Sequence, residues 1–196
     1  MSKNWSLILV AAFALGYGVK VFIDSKPTPA VNEADSAKVI FQGENNNAVD
    51  LFDNQDDRVR VIYFGFTHCP DVCPTSLAML AGALNQLDDT TKSTIRPIFI
   101  SLDPERDDAN TAHTYAQYFH PLIEGLSAPI EVTQPLATKY GVVFKRTELE
   151  ESELKYTLDH NSYFYFIHPD GSLITKVPHT LTPAPLVAAI KSLNQQ

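Results

Sequence analysis

The stretch HCPDVCP holds both cysteines of the chain, Cys69 and Cys73, with three residues between them. Any thiol chemistry is therefore confined to one short segment. If that segment is helical, the two side chains share a face one turn apart, close enough for both sulfurs to approach a single metal ion. A helix N-terminus also lowers thiol pKa and favours the thiolate that metal binding and disulfide exchange both require. Pro70 and Pro74 limit the regularity of such a first turn and leave a loop presentation open.

Three roles fit the pair: a structural disulfide, a redox dithiol, or part of a metal site. A staple across so short a loop is worth about 2 kcal/mol in the chain-entropy model, against about 4.7 for a hundred-residue loop. It would add little to a domain that already has a core. A strand delivering a cysteine pair to the start of a helix suits redox dithiols, although those motifs place two residues between the thiols, not three. A metal site needs a further donor, and six histidines are available. His68 adjoins Cys69 in a loop, His113 and His120 lie seven apart on an expected helix surface, and His168 and His179 fall in turn or loop segments. His160, in YTLDHNSYFYFI, directly precedes the most apolar late strand and follows Asp159, so it arrives at a sheet end. Its local composition alone leaves it a candidate only. Two soft thiolates and an imidazole suit Cu(I) or Cu(II) better than hard cations, whereas structural zinc wants a fourth ligand.

The elements that must position these groups follow from periodicity. VRVIYFGF, residues 59–66, is an almost continuous apolar and β-branched run, as expected of a strand buried on both faces. After Pro74, Leu77, Leu80, Ala81, Leu84 and Leu87 recur at helical spacing, with DDTTKS closing the helix. IRPIFISL is a second buried strand. DPERDDANTAHTYAQYF reads as a helix with an acidic first turn, in which Asp103 and Asp107 act as caps. QPLATKYG is a short helix stopped at Gly141. SYFYFIHPDGSLITKV is a hairpin turning through Pro169, Asp170 and Gly171, and TPAPLVAAIKSLN is a closing helix capped by Thr182. AKVIFQGENNNAVDLFD reads as two short strands about an Asn/Gly turn. Glu148, Glu150, Glu151 and Glu153 mark a solvated hairpin tip. Buried strands alternating with helices imply an α/β fold whose central sheet is covered on both faces, with chemistry at the carboxyl end of a strand.

Composition narrows the class. The chain has 196 residues, 44% of them apolar, a formal charge of -8 and a pI near 5.1. That charge, with no Lys/Arg cluster, excludes a nucleic-acid surface. Two cysteines are too few for a disulfide scaffold, and two methionines exclude a Met-rich metal tract. The apolar run Trp5–Ile23, preceded by Lys3, spans roughly 28 Å as a helix, close to the thickness of a bilayer core. No cleavage site follows it, so residues 1–24 read as an uncleaved anchor, 25–37 as a flexible tether and 38–196 as the folded domain. The positive-inside rule sets the domain on the extracytoplasmic side of the inner membrane, in an oxidising compartment.

Three motifs in order, FGFTHCPDVCPTSL, ISLDPERDDA and TLDHNSYFYFIHPDG, resemble the Sco/SenC family of membrane-anchored copper proteins, and the likeness covers nearly all of the chain beyond the tether. The resemblance implies a thioredoxin-like central sheet flanked by helices, with an N-terminal strand extension and a hairpin insertion. It implies copper held by Cys69, Cys73 and His160, and a redox disulfide between Cys69 and Cys73. It also implies a metallochaperone that assists assembly of the dinuclear copper site of cytochrome c oxidase, with oxidase subunit II and other copper chaperones as partners. The alternative is a thiol:disulfide oxidoreductase that reduces the cysteines of that subunit or of other extracytoplasmic proteins. A peroxidase would need an arginine motif beside the thiolate, and Arg58, Arg60, Arg96, Arg106 and Arg146 supply none.

Overall fold

The computed structural model describes residues 38–193. The expected anchor and tether lie outside the described residues, and among the described residues no helix is long and apolar enough to cross a membrane. Ile40–Gln42 (β1) and Ala48–Asp50 (β2) pair antiparallel across a single 3-10 turn. Asn45 and Asn46 take positive φ there, 55° and 58°, a region asparagine tolerates better than most residues. Gln42 bridges to Ser127, so this ribbon is an extension tied to the main body.

The chain then runs through Val59–Gly65 (β3), Val72–Leu84 (α1), Asp89–Ser93 (α2), Ile95–Ser101 (β4), Ala109–Phe119 (α3), Glu124–Leu126 (β5) and Ile130–Tyr140 (α4). The hairpin Phe144–Glu148 (β6) and Tyr156–His160 (β7) follows, then Tyr163–Ile167 (β8), Leu173–Pro178 (β9) and Ala184–Leu193 (α5). The central five-stranded sheet has the order β5-β4-β3-β8-β9, with β3, β4 and β5 parallel and β8 and β9 antiparallel to their neighbours. Every residue of β4 and all but the first of β3 are buried, as the near-continuous apolar runs require when helices cover both faces. α1 packs against α3 and α5. Each fully buried Ile, Leu or Phe of this core contributes roughly 1.5–3 kcal/mol. The β6–β7 pair forms a sheet of its own, inserted between α4 and β8. Gly141 ends α4 at φ 72°, the left-handed stop its position predicts.

Two expectations need correction. DDTTKS does not merely close α1: Asp88 accepts from the Thr91 amide and caps a separate short helix, α2. The acidic segment 103–107 is a turn, and α3 begins at Ala109 with Asp108, not Asp103 or Asp107, accepting from the Thr111 amide at 2.7 Å. The earlier carboxylates are drawn inward to side chains far away in sequence, which leaves no acid in the first turn of α3. Arg60 is a further surprise within an apolar run. It is fully buried, and its guanidinium donates to the carbonyls of Leu51, Asp53, Asp56 and Arg58, so the loop preceding β3 closes around it.

Candidate metal and thiol centre

Strand β3 points its carboxyl end at Phe66, Thr67, His68 and Cys69. This connection is fixed from below by Asp107, which is fully buried. Its carboxylate accepts from the Thr67 amide at 2.8 Å, the Thr67 hydroxyl at 2.5 Å and the Ser101 hydroxyl at 2.7 Å. The loop two residues ahead of Cys69 is thereby tied to the end of β4. Cys69 stays in the loop, half-buried, with its amide bonded to the Phe66 carbonyl. Cys73 lies in the first turn of α1 and is fully buried. The Cys73 amide, free at the helix start, donates to Cys69 Sγ at 3.3 Å.

His160 closes the set from the hairpin. It is the last residue of β7, and its Nδ1 donates to the Asn161 carbonyl at 3.1 Å. That bond assigns the proton to Nδ1 and leaves the Nε2 lone pair facing Cys73 Sγ at 3.3 Å. The imidazole stands edge-on to Tyr63 and Phe66, with ring centroids 6.3 and 6.0 Å away. The Asn161 side chain secures this corner: its Nδ2 donates to the Gly141 carbonyl at 2.9 Å, and its Oδ1 accepts from the Val143 amide at 3.0 Å. One ligand atom from each of Cys69, Cys73 and His160 lies within 4.8 Å of the other two.

The two thiols are electrostatically unequal. The hydrogen bond from the Cys73 side chain pulls the Cys69 pKa down to about 4, against the opposing effect of burial, with the Cys73 and Asp71 amides assisting. The same bond to Cys69, together with burial, pushes Cys73 up. The pair thus holds one proton, with the thiolate on the more exposed sulfur. A thiolate, a thiol and an imidazole lone pair make a soft three-donor cluster, and also a nucleophile beside a resolving thiol.

The other histidines stand apart from this cluster among the described residues. His68 Nδ1 lies 3.1 Å from the Thr67 hydroxyl, His113 is on α3 near Glu44, His120 ends that helix, and His168 opens the β8–β9 turn. His179 sits in a loop, as its segment predicts, but its Nδ1 lies 2.7 Å from the hydroxyl of Ser76, buried on α1 one turn beyond Cys73. From the sequence Asp107 reads as a helix cap and Asn161 has no role. Their only signal was membership of the ISLDPERDDA and TLDHNSYFYFIHPDG stretches, because their partners Thr67 and Gly141 lie 40 and 20 positions away.

A family model described as SCO1/SenC matches residues 30–195 of the chain. The chain is 39% identical over 114 residues to the mitochondrial SCO1 homolog 1 of Arabidopsis thaliana, a match covering 58% of this chain and 34% of that protein. It is 28% identical over 197 residues to the protein sco1 of Schizosaccharomyces pombe, covering 95% of this chain and 75% of that one. Among solved structures it resembles the crystal structure of Arabidopsis thaliana ScoI with copper bound, with a TM-score of 0.71 at 30% identity over 80% of this chain and 96% of that one. The first of these relatives is thus spanned over about a third of its length.

Proposed function

The chain belongs to the SCO1/SenC family, and on that premise we propose that it is a copper-binding metallochaperone acting in the assembly of cytochrome c oxidase. The observation that carries this reading is the convergence of Cys69 Sγ, Cys73 Sγ and a His160 ring nitrogen within 4.8 Å of one another. The donor set fits the cargo. Two sulfurs and an imidazole accept both Cu(I) and Cu(II), whereas a structural zinc site of the described residues would lack its fourth ligand. When bound, copper would be held by these three residues and passed on to the dinuclear copper site of oxidase subunit II, the partner this reading names. Residues 1–24 would anchor the chain in the inner membrane and 25–37 would tether residues 38–196 on the extracytoplasmic side, as the apolar run and its flanking Lys3 suggest. Cys69, on the outer side of the site, is the donor from which a client ligand would begin displacement, while buried Cys73 and His160 hold the remainder.

The unequal thiols favour a second reading of the same residues. The Cys69 thiolate would attack one sulfur of a client disulfide, forming a mixed disulfide and releasing a client thiolate. Cys73, giving up its proton, would then attack Cys69 Sγ, leaving a Cys69–Cys73 disulfide and a dithiol client.

Metal analysis of the reduced full chain after Cu(I) or Cu(II) loading tests the first reading. About one copper per chain is expected, lost in Cys69→Ser and Cys73→Ser and weakened in His160→Ala, with sulfur-to-copper charge-transfer absorption for Cu(II). A wild type that binds no copper would overturn it, and unchanged affinity in His160→Ala would remove the histidine from the site. Exchange with an oxidised client peptide that survives His160→Ala, without copper uptake, would favour the second reading.

A further inference from the structure

The turn 103–107 joins the two halves of the centre. At one end Asp107 grips Thr67, two residues ahead of Cys69, by two hydrogen bonds. At the other end the turn grips the strand that carries His160. The Tyr156 hydroxyl donates to Asp103 Oδ1 at 2.7 Å, and Arg106 Nε donates to Asp103 Oδ2 at 2.5 Å. Arg106 Nη1 then donates to the carbonyls of Tyr156 and Leu154 at 3.0 and 3.2 Å. The guanidinium carbons of Arg106 and Arg146 each lie 3.6 Å from the Tyr156 ring centroid. Two such groups that close cannot share one face, so the ring is stacked between them. Arg146, on β6, also reaches Glu105 of the same turn at 2.9 Å.

Strand geometry links this clamp to the metal-site histidine. Side chains two apart on a strand share a face, so Tyr156, Leu158 and His160 lie on one side of β7. Tyr156 and Leu158 are buried there, and His160 is next in the row. Phe66 supplies a second link: its ring centroid is 6.0 Å both from Arg106 Cζ and from the His160 ring. Within the hairpin the contacts to the turn fix the start of β7, and Asn161 fixes its end.

We propose that Tyr156, clamped to Asp103 and Arg106, is a positioning residue that sets where the His160 imidazole stands relative to the two sulfurs. This rests on reading Cys69, Cys73 and His160 as the metal site. A tyrosine whose ring and hydroxyl only stabilise the hairpin would affect every state of the protein alike. A positioning residue acts through His160 and loses its effect when that imidazole is gone.

A double-mutant cycle separates the two. Cu(II) affinity, by competition with a chelator, and the energy of the sulfur-to-copper absorption band are measured for wild type, Tyr156→Phe, His160→Ala and the double variant. Removing an outer-shell partner commonly weakens metal binding 10- to 100-fold, so Tyr156→Phe is expected to lose about tenfold and to shift the band. In the His160→Ala background both changes should vanish. Asp103→Asn, which keeps an acceptor for the hydroxyl but loses the charge facing Arg106, should give a smaller change with the same dependence on His160, and it replaces Tyr156→Phe if that variant does not fold. An equal loss in both backgrounds, or no change on the wild-type background, overturns the proposal. A wild type that binds no Cu(II) overturns the copper reading itself.

Discussion

Gly65 and Cys73 approach so closely that a Cβ at position 65 would stand 2.9 Å from the Cys73 sulfur. The same atom would meet Tyr63 Cε1 at 3.0 Å and Phe99 Cε2 at 3.1 Å, so a methyl group on the last residue of β3 would press on three side chains. Among them only the Cys73 side chain is short, and it sits in a helical first turn. Gly65→Ala should therefore cost about 1–3 kcal/mol through overpacking. It should also displace the sulfur and weaken copper binding beyond what the stability loss explains. Urea unfolding of the metal-free chain and chelator competition check the two parts. A destabilised variant with native affinity would mean that the aromatic rings, not the sulfur, give way.

The inequality of the thiols predicts a pH profile. With Cys69 at about 4, its thiolate is fully formed at pH 6, so carboxamidomethylation of Cys69 should change little between pH 6 and 9. An ordinary thiol gains about two hundredfold in thiolate over that range. Cys73, buried and pushed up, should label last. The same inequality enters stability. Between pH 4 and about 8.5 the unfolded chain carries a proton that folded Cys69 lacks, so stability rises with pH. This contribution is complete above the unfolded value and is lost as pH falls through 4. Above about 8.5 Cys73 acts in the opposite sense, keeping a proton that the unfolded chain releases. Urea titrations of the reduced chain at pH 5, 6.5 and 8 should show a slope in wild type that is reduced in Cys69→Ser. Equal slopes would mean that folding does not lower Cys69.

Much of the frame was legible because its signals are local. The runs at Val59–Gly65 and Ile95–Ser101 are buried on both faces and read as such, and Gly141 stops α4 where the pattern ends. Segment 103–107 misled because an Asp at a helix start and an Asp turned inward look alike in sequence. What decides is Thr67, 40 positions away, and Tyr156, 53 positions away. Arg60 was hidden for the same reason, since its partners are loop carbonyls rather than a motif. The thiols marked their segment by lying four positions apart, with three roles left open. His160 could not be marked that way, because its proximity to Cys73 is made across 87 residues by an inserted hairpin, and family resemblance supplied what neighbouring residues did not.

Asp107 should behave as the support of the cysteine loop. Replacing it with alanine leaves the Thr67 amide and the Ser101 hydroxyl without their acceptor in a buried place. Each such orphan costs about 1–3 kcal/mol, so Asp107→Ala should lose about 2–6 kcal/mol by chemical denaturation. Asp107→Asn keeps one acceptor oxygen and should fall in between, since the Thr67 hydroxyl can rotate to accept from the new amide. Both variants should raise the mobility of Cys69, read as faster thiol labelling at fixed pH. An alanine variant within 0.5 kcal/mol of wild type would show that the loop holds its shape without this grip.

The Asn161 side chain separates holding the hairpin from holding the imidazole. Its Oδ1 accepts from Val143 and its Nδ2 donates to Gly141, while its own carbonyl accepts from His160 Nδ1. Asn161→Ala removes both side-chain bonds at an exposed site, where water can replace them, so the cost in stability should be about 1 kcal/mol. The carbonyl that orients His160 would then be less firmly placed, and Cu(II) affinity should fall about tenfold. Asn161→Asp is the sharper variant. It can still accept from Val143, but it sets a carboxylate oxygen against the Gly141 carbonyl, where a donor stood at 2.9 Å. The aspartate variant should therefore bind Cu(II) no better than the alanine variant, despite its closer shape. Thermal melting and chelator competition on both measure this. Native affinity in Asn161→Asp would show that the bond to Gly141 does not govern where His160 stands.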